Sequence, residues 1–429
     1  MLVPSLESFI RPDHPLRRLD AVLDLSFIHE AVRDQYCQDN GRPSIDPEVV
    51  MRLFILQAIK GIRSVRELMN TVEENLAYRW FIGYDLQEKL PDHSTLSRAL
   101  DRLGNEVFDT LFQRSIAQCH VSGLIEGRIL HLDATLIRAD LDKDKAEHPG
   151  CSDPDARFGR KKGAPGYKQQ TVADGKARVV VAVDVMPANE HDTARGMATV
   201  DQAIARTGQH PAAVCADSAY GNGANAAAME ARDIRLVSPP QRIRRKDDDR
   251  LTPYDFVYDV ARDVYICPAQ QELVYIGTET TKRRRRYRAP KDVCTVCSLR
   301  SHCTKSKRRV LDISPDHDAL KRLRADAKTD SFRELYRMRG AVIEGVFGEA
   351  KQWHGLRRAA RRGLANMLIQ SLLVAAVLNF KRLMAAQRPL EDYISALLAM
   401  CGVIRRTWNP TQPIPGFGWI TTRSRACVM

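Results

Sequence analysis

The sequence predicts a mixed α/β protein in which an all-helical region precedes the sheet. Apolar residues recur at helical spacing over 1–124, strand and helix patterns alternate as β-β-β-α-β-α-β over 125–240, and helical periodicity returns over 331–387. The polar, irregular stretch 241–330 is interpreted as an insertion into this core or a separate small module, and the tail 388–429 fits no element. These five ranges form the expected domain organisation.

Start and stop signals define the N-terminal helices. Asp46 supplies a cap and Pro47 a first-turn proline for a helix that ends at Gly61. Ser64 and Glu67 have the spacing of a capping box at the start of the next helix. The segment is therefore expected to be a small helical bundle.

A third helix is expected to begin between Asp92 and Ser94 and to carry Arg98 on its outer face. A helix that opens with Ser94 and Thr95 and presents an arginine is built like the recognition helix of a helix-turn-helix protein, so Arg98 is a candidate DNA contact. An ordinary bundle helix with a solvated basic face explains the same pattern equally well. Both interpretations stay open.

Composition restricts the class of protein. The 429 residues include 66 Lys and Arg against 53 Asp and Glu, a net charge of +13 that is large for an ordinary globular enzyme. With 44% hydrophobic residues the chain is neither disordered nor a multi-span membrane protein. Ten cysteines are too sparse for a secreted disulfide scaffold, which favours a reducing cytosol. The apolar stretch 364–380 is short and contains polar residues, so we expect a buried helix instead of a membrane span.

Three carboxylates occupy unusual places. Asp133 lies within the apolar strand predicted at 128–137, where an unpaired charge is costly. Asp217 ends the strand predicted at 212–216, and Glu344 lies among apolar residues of a helix. Acids this far apart in the chain meet only through tertiary folding, as expected for a site that holds two Mg²⁺ ions for phosphoryl displacement. For any one acid alone, a capping or salt-bridged role is the ordinary alternative.

Basic residues follow Glu344 on the same predicted helix. Lys351 comes seven residues later, which places both side chains on nearly one face. Between 350 and 384 there is no acid, and the cluster is a candidate for neutralising DNA phosphates, with a solvated helix face as the alternative. Its members are Lys351, Arg357, Arg358, Arg361, Arg362, Lys381 and Arg382.

Cysteines cluster in the insertion. Cys294 and Cys297 have the C-x₂-C spacing of a zinc site, Cys267 and Cys303 complete four thiolates, and His302 is a rival fourth ligand. Such a site would be structural, because four thiolates leave no open position. Free thiols in a flexible loop are the alternative. The adjoining basic run 282–288 is a candidate backbone contact for DNA.

These residues carry a resemblance. The strand around Asp133, the segment 217–221, and Glu344 followed by Lys351 and the segment 354–358 resemble the DDE transposases of bacterial insertion sequences. The likeness extends over most of the chain, including 41–57. It implies an RNase H-like mixed sheet flanked by helices, with catalytic Asp133, Asp217 and Glu344 around two metal ions. Some relatives have a similar cysteine-rich insertion before the glutamate, which supports the grouping; the small zinc-knuckle-like module is expected from the cysteine spacing itself.

One departure concerns the arginine of that motif. In many relatives a tyrosine is followed three residues later by an arginine, then four later by the glutamate and seven later by the lysine. Tyr336, Arg339 and Lys351 fit this pattern only with one extra residue between Arg339 and Glu344. Arg337 and Arg339 therefore compete for the position beside the DNA phosphate.

The resemblance implies a DNA transposase that cleaves the ends of an insertion sequence and transfers the strands to target DNA. It further implies two Mg²⁺, with Mn²⁺ able to substitute, and a homo-oligomer on DNA in the bacterial cytoplasm near the nucleoid, whereas the structural Zn²⁺ is expected from the cysteine spacing alone. In this scheme 1–124 binds DNA, 125–240 and 331–387 form the catalytic core, and 241–330 is the insertion. The alternatives are a nuclease of the same fold without strand transfer, an inactive DNA-binding derivative, or a membrane-associated protein.

Overall fold

A computed structural model describes residues 5–35, 44–141, 151–159, 163–241, 250–281 and 283–387. The described residues up to Leu383 form one compact unit, and the few described residues from Met384 onward fall outside it. Several sequence features lie outside the described residues, namely the start of the N-terminal resemblance at 41–43, the charge run over 242–249, Lys282 and the tail 388–429.

The N-terminal region is helical, as predicted. The Asp46 carboxylate accepts the Glu48 N–H at 2.7 Å, Ser64 accepts the Glu67 N–H at 3.1 Å, and Gly61 ends its helix with φ +66°. Arg98 is exposed on the last helix, which contains a non-helical break at Gly104. The helices are α1 (Pro15–Val22), α2 (Ile28–Ala31), α3 (Pro47–Lys60), α4 (Val65–Glu74), α5 (Leu76–Phe81) and α6 (His93–Val121).

A six-stranded mixed sheet follows. Its path is β4-β3-β1-β5-β6, in which β3 is antiparallel to β1 and β4, whereas β5 is parallel to β1 and β6; β2 pairs with the first two residues of β3. The predicted order is confirmed, with β2 as an unpredicted addition. The elements are β1 (Ile129–Arg138), β2 (Arg157–Phe158), β3 (Pro165–Asp174), β4 (Val180–Pro187), α7 (Gly196–Thr207), β5 (Ala213–Ala216), α8 (Gly223–Glu230) and β6 (Arg235–Val237).

The insertion is ordered, and the prediction of an irregular stretch without core residues was wrong. Five short antiparallel strands build a second sheet, which encloses its own apolar core of Phe256, Tyr265, Leu273, Tyr287, Ala289, Leu311 and Ile313. In these strands, apolar side chains that face the core alternate with charged side chains, so the overall composition of the insertion is polar. The elements are β7 (Val257–Asp259), β8 (Val264–Ile266), β9 (Glu272–Glu279), β10 (Arg284–Arg288), α9 (Lys291–Thr295), α10 (Arg300–Cys303) and β11 (Val310–Ile313).

The C-terminal helices are less continuous than predicted. A connection over 354–363 interrupts them, and its backbone pairs with β1 through Arg138, whose N–H donates to the Arg357 carbonyl at 3.3 Å and whose carbonyl accepts the Ala359 N–H at 2.8 Å. The basic residues at 357–362 therefore lie on this connection and not on a helix. The elements are α11 (His317–Asp326), α12 (Asp330–Arg339), a π-helical turn (Gly340–Glu344), α13 (Gly345–Trp353) and α14 (Leu364–Ala386).

Among the described residues, α14 alone is long and apolar enough to cross a membrane. Most of its residues are buried in the protein, as for a core helix. Its buried Asn379 donates to the Ser115 hydroxyl at 3.1 Å and the Val180 carbonyl at 2.9 Å, and accepts the Val180 N–H at 2.9 Å. These bonds satisfy the polar side chain between α6 and β4, so α14 packs as a core helix.

Candidate active site

Strand register places two of the predicted acids side by side. In the parallel pair β1 and β5, Leu132 lies opposite Ala216, so Asp133 and Asp217 follow at the same level on adjacent strands. Adjacent strands are about 4.8 Å apart, which brings the two carboxylates to one edge of the site. The Asp217 side chain accepts the Ala219 N–H at 3.0 Å, and this bond fixes the turn after β5.

A buried arginine connects these strands to the third acid. Arg339, at the end of α12, donates from Nη2 to Asp133 Oδ2 at 2.6 Å, and its Nη1 lies 3.8 Å from Glu344 Oε1. The Arg339 side chain is only 10% exposed, whereas that of Glu344 is 69% exposed. Arg337 is exposed on the same helix. The structure therefore brings Arg339 into the candidate site and leaves Arg337 at the surface.

The π-helical turn explains the unusual spacing between Arg339 and Glu344. In an α-helix, residues four apart lie on one face, whereas a π-turn pairs residue i with residue i+5 and takes up one extra residue. Residues 340–344 form such a turn. The side chains of Arg339 and Glu344 consequently share a face although five positions separate them. The additional residue therefore does not disturb their placement beside Asp133.

The environment of Asp133 favours its neutral form. Burial raises the pKa of Asp133 to about 6, the Arg339 guanidinium and the Ala134 N–H oppose this rise, and the carboxylates of Asp217 and Asp192 add to it. Burial also lowers the pKa of Lys351; the charges of Arg357 and Arg138 lower it further, and Asp133 opposes them. Lys351 thus lies within electrostatic range of the acid that it was predicted to accompany.

Mutual distances limit what this arrangement can hold. Within the described ranges, no three His, Cys, Asp or Glu side chains stand close enough together to hold a metal ion. Asp133 and Asp217 offer the oxygen donors that Mg²⁺ prefers, but Arg339 occupies one oxygen of Asp133, and Glu344 meets the pair only through this arginine. These oxygen donors suit a hard divalent ion, and in the structure the Arg339 guanidinium supplies the positive charge beside them.

Three nearby residues were missed in the sequence. Asp192, in the loop after β4, lies close enough to raise the pKa of Asp133, and its side chain pairs with Lys168 at 2.6 Å. Arg178, in the β3–β4 turn, lies against Gly345, beside Glu344. His131 is buried two residues before Asp133, and burial lowers its pKa to about 4. Of these three residues, only Asp192 was recognisable in the sequence, as an acid shortly after the end of a predicted strand.

The predicted DNA-binding arginines differ in their exposure and in their hydrogen-bond and ion-pair partners. Arg357, Arg358 and Arg362 are exposed on the connection, while Arg361 is half-buried there and pairs with Asp101 of α6 at 2.6 Å. Arg98 is exposed on α6, where its own hydrogen bonds are to the neighbouring turn. In the run along β10, Arg285 and Arg286 pair with acids of the same module.

The four predicted zinc ligands meet in the insertion. Cys267, Cys294, Cys297 and Cys303 line one small cavity of about 30 Å³, from which the exposed His302 is absent. Burial raises the pKa of Cys303, and the other three thiols add to this rise. The Gln271 N–H donates to Cys267 Sγ at 3.3 Å. The four thiols thus share one pocket, although among the described residues no three such side chains are grouped as a metal site requires.

Comparisons with known proteins identify transposase domains in two parts of the chain. Residues 4–102 match a family described as a transposase domain, DUF772, and residues 266–384 match a transposase DDE domain that includes Glu344 and Lys351. No match is found among curated proteins. The chain is similar, at 11% identity and a TM-score of 0.41, to the cryo-EM structure of a piggyBac transposase synaptic complex with hairpin DNA; the similarity covers 93% of this chain and 82% of that one.

The two family matches lie at opposite ends of the unit that contains the carboxylate site, and together they cover about half of the sequence. The second match contains the glutamate, the lysine and the basic connection, while the predicted aspartates fall between the two matches. The chain is therefore a transposase, and it belongs to the DDE-type transposases of insertion sequences.

Proposed function

We propose that this transposase cleaves the ends of its insertion sequence and joins the freed strands to target DNA, with Asp133, Asp217 and Glu344 as catalytic residues. The observation that carries the proposal is the register of β1 and β5, which aligns Asp133 with Asp217, together with the arginine that connects Asp133 to Glu344. The sheet order supports an RNase H-like core, since an antiparallel three-stranded part continues into two parallel strands.

The three carboxylates would hold two Mg²⁺ ions, for which Mn²⁺ would substitute. Bound divalent ions of this kind activate a water or a DNA 3′-hydroxyl and stabilise the leaving oxygen. The chain supplies the anionic cradle at Asp133 and Asp217. Lys351, within electrostatic range of Asp133, would hold a DNA phosphate beside this cradle. Arg339 would keep the acids together through its two ion pairs.

The other parts of the chain have supporting roles in this proposal. The helices of 1–124 would bind DNA, with Arg98 as one contact. The exposed arginines at 357–362 would neutralise its backbone next to the core formed by 125–240 and 331–387. A structural Zn²⁺ on the four cysteines would fix the insertion within 241–330. The protein would act as a homo-oligomer on DNA in the bacterial cytoplasm, since two element ends must be held together.

The decisive test compares nicking by the wild type with nicking by Asp217→Ala. The substrate is duplex DNA that carries the ends of the element encoding the chain, and the assay contains Mg²⁺. We expect strand cleavage by the wild type and a loss of at least about 100-fold in the variant, because one metal cradle is removed. Asp330→Asn, at a side chain that is 97% exposed, is the matched control and should cleave normally. Equal cleavage by all three proteins would remove the proposed site.

A nuclease of the same fold without strand transfer is the second candidate. It shares the acids and the basic connection, and differs only in what happens to the 3′-hydroxyl after cleavage. Sequencing of products from a reaction with a supercoiled target plasmid separates the two. Joined products support the transposase reaction, whereas cleaved ends alone favour the nuclease.

A further inference from the structure

A large cleft opens beside the proposed active site. Its volume is about 1070 Å³, and it lies between the α3–α4 corner on one side and the end of α13 with the connection 354–363 on the other. Lys351 belongs to both the cleft lining and the proposed catalytic site. A ligand in this cleft therefore reaches a residue of the proposed catalytic site.

Close backbone packing fixes the spacing of the two walls. Gly61 has φ +66°, and a Cβ at this position would stand 2.6 Å from the Trp353 carbonyl oxygen, so only glycine permits the approach. The buried His354 lies next to it, with Nδ1 3.1 Å from the Ala58 carbonyl oxygen. These contacts join α3 directly to the end of α13. The cleft is thus preformed.

The cleft is strongly basic. Seven lysine and arginine side chains line it against a single acid, Asp140. Of these seven side chains, only two form ion pairs with described acids, namely Arg358 with Asp140 at 3.9 Å and Arg361 with Asp101 at 2.6 Å. Lys60, Arg63 and others keep their charge available. A groove of one sign attracts a polyanion by release of its counterions.

An aromatic side chain stands among these charges. Trp353 lines the cleft and is 63% exposed, which is unusual for the largest apolar residue type. It is the last residue of α13, the helix that carries Lys351. A basic groove with an exposed aromatic ring is the arrangement by which proteins bind single-stranded nucleic acid, because each base presents a face for stacking.

We propose that this cleft binds an unpaired segment of DNA strand, one base of which stacks on Trp353 while the backbone runs along the basic walls toward Lys351. The volume is just above the ordinary range of about 300–1,000 Å³ for ligand pockets, which suits a few nucleotides. The inference rests on the proposed function and specifies the form of its substrate: strands are separated next to the cleavage position.

The test measures binding in EDTA, so that no cleavage occurs and the metal site plays no part. The full-length protein is titrated into a fluorescently labelled single strand of about 12 nucleotides, within the range of known single-strand sites, and separately into the matching duplex. We expect Trp353→Ala to weaken single-strand binding about 5- to 100-fold, the range typical of one lost stacking contact. Duplex binding should change less than about twofold, and Trp353→Phe should restore most of the affinity.

Phe9→Ala serves as the matched control, since Phe9 is 52% exposed and outside the cleft lining. A second measurement uses 2-aminopurine in the strand, whose fluorescence is quenched by stacking. The wild type and Trp353→Phe should quench it at one position, and Trp353→Ala should not. Unchanged single-strand binding by Trp353→Ala, or an equal loss with single strand and duplex, overturns the proposal. Failure of the Asp217→Ala cleavage test would leave these binding results unaffected.

Discussion

The carboxylate site and the cysteine site are built in opposite ways. The acids come from three distant elements and meet through strand register and a π-turn, and a buried arginine already supplies positive charge. The cysteines come from one inserted module, and Cys267, Cys294 and Cys303 pack beside the apolar core of its sheet. The first site is therefore held together by an internal ion pair, and the second by its apolar surroundings. Metal removal should affect the two sites differently.

The largest effect is expected at the cysteine site. Substitution of both Cys294 and Cys297 by serine should reduce bound zinc from about one ion per chain to near zero, because two of four thiolates are lost. Structural zinc contributes several kcal/mol to folding. We expect the unfolding midpoint of the insertion to fall by about 10 °C or more, measured by calorimetry alongside metal analysis.

Cys151→Ser is the matched control for this experiment. Cys151 is half-buried outside the insertion and donates to the Asp153 carbonyl at 3.3 Å. Its replacement should leave the zinc content unchanged. Wild-type protein that contains no zinc, and whose unfolding midpoint does not respond to a chelator, would show that the four thiols are free.

The second prediction concerns the internal ion pair of the carboxylate site. Arg339→Met keeps an unbranched apolar stem but leaves Asp133 without its partner, so we expect a loss of about 3 kcal/mol in the free energy of unfolding in EDTA. Arg337→Met, at the exposed neighbour, should change stability by less than about 0.5 kcal/mol. Chemical denaturation of both variants makes the comparison.

Divalent metal adds a further test of Arg339. If the arginine stands in for bound cations, Mn²⁺ should stabilise Arg339→Met more than it stabilises the wild type, because the acids of the variant lack a counter-charge. Arg337→Met should respond like the wild type. Equal stabilisation of all three proteins by Mn²⁺ would contradict the role given to Arg339.

The sequence was most informative where one periodicity dominates. The strands that carry Asp133 and Asp217 were predicted within about two residues, because apolar runs bounded by turn residues define them. The insertion was missed as a sheet because no strand buries more than two side chains, such as Tyr265 and Leu273, among many charges. A short alternating pattern of this kind cannot be told from a polar loop by composition.

The sequence predicted which residues form the candidate site but not the contacts between them. Nothing in the sequence shows that Arg339 pairs with Asp133, since the contact spans 206 positions and depends on how α12 docks on the sheet. The break after Trp353 was also missed, although Gly355, which has φ +74°, is a local stop signal two residues later. The pairing of Arg339, in contrast, depends on tertiary contacts that no local pattern encodes.

The smallest predicted effect follows from the buried charge of Asp133. Burial raises its pKa in the folded protein from 3.8 to about 6, so the folded state binds this proton more tightly than the unfolded state. The stabilisation is fully present below pH 3.8 and is lost as the pH rises through about 6. Between pH 5.5 and 7.5 in EDTA, the wild type should lose about 1 kcal/mol relative to Asp133→Asn, which has no such proton.

The measurement is the free energy of unfolding of both proteins at several pH values, with Asp330→Asn as a control that should follow the wild type. An arginine that fully compensated Asp133 would hold the carboxylate ionised throughout this range, and the difference between the wild type and Asp133→Asn would then be independent of pH. A decline with rising pH instead indicates that Arg339 only partly offsets the cost of burial. A bound cation would relieve the remaining cost of burying the Asp133 charge. The carboxylate site and the cysteine site would then differ in how far each is prepared for metal, as well as in how each is built.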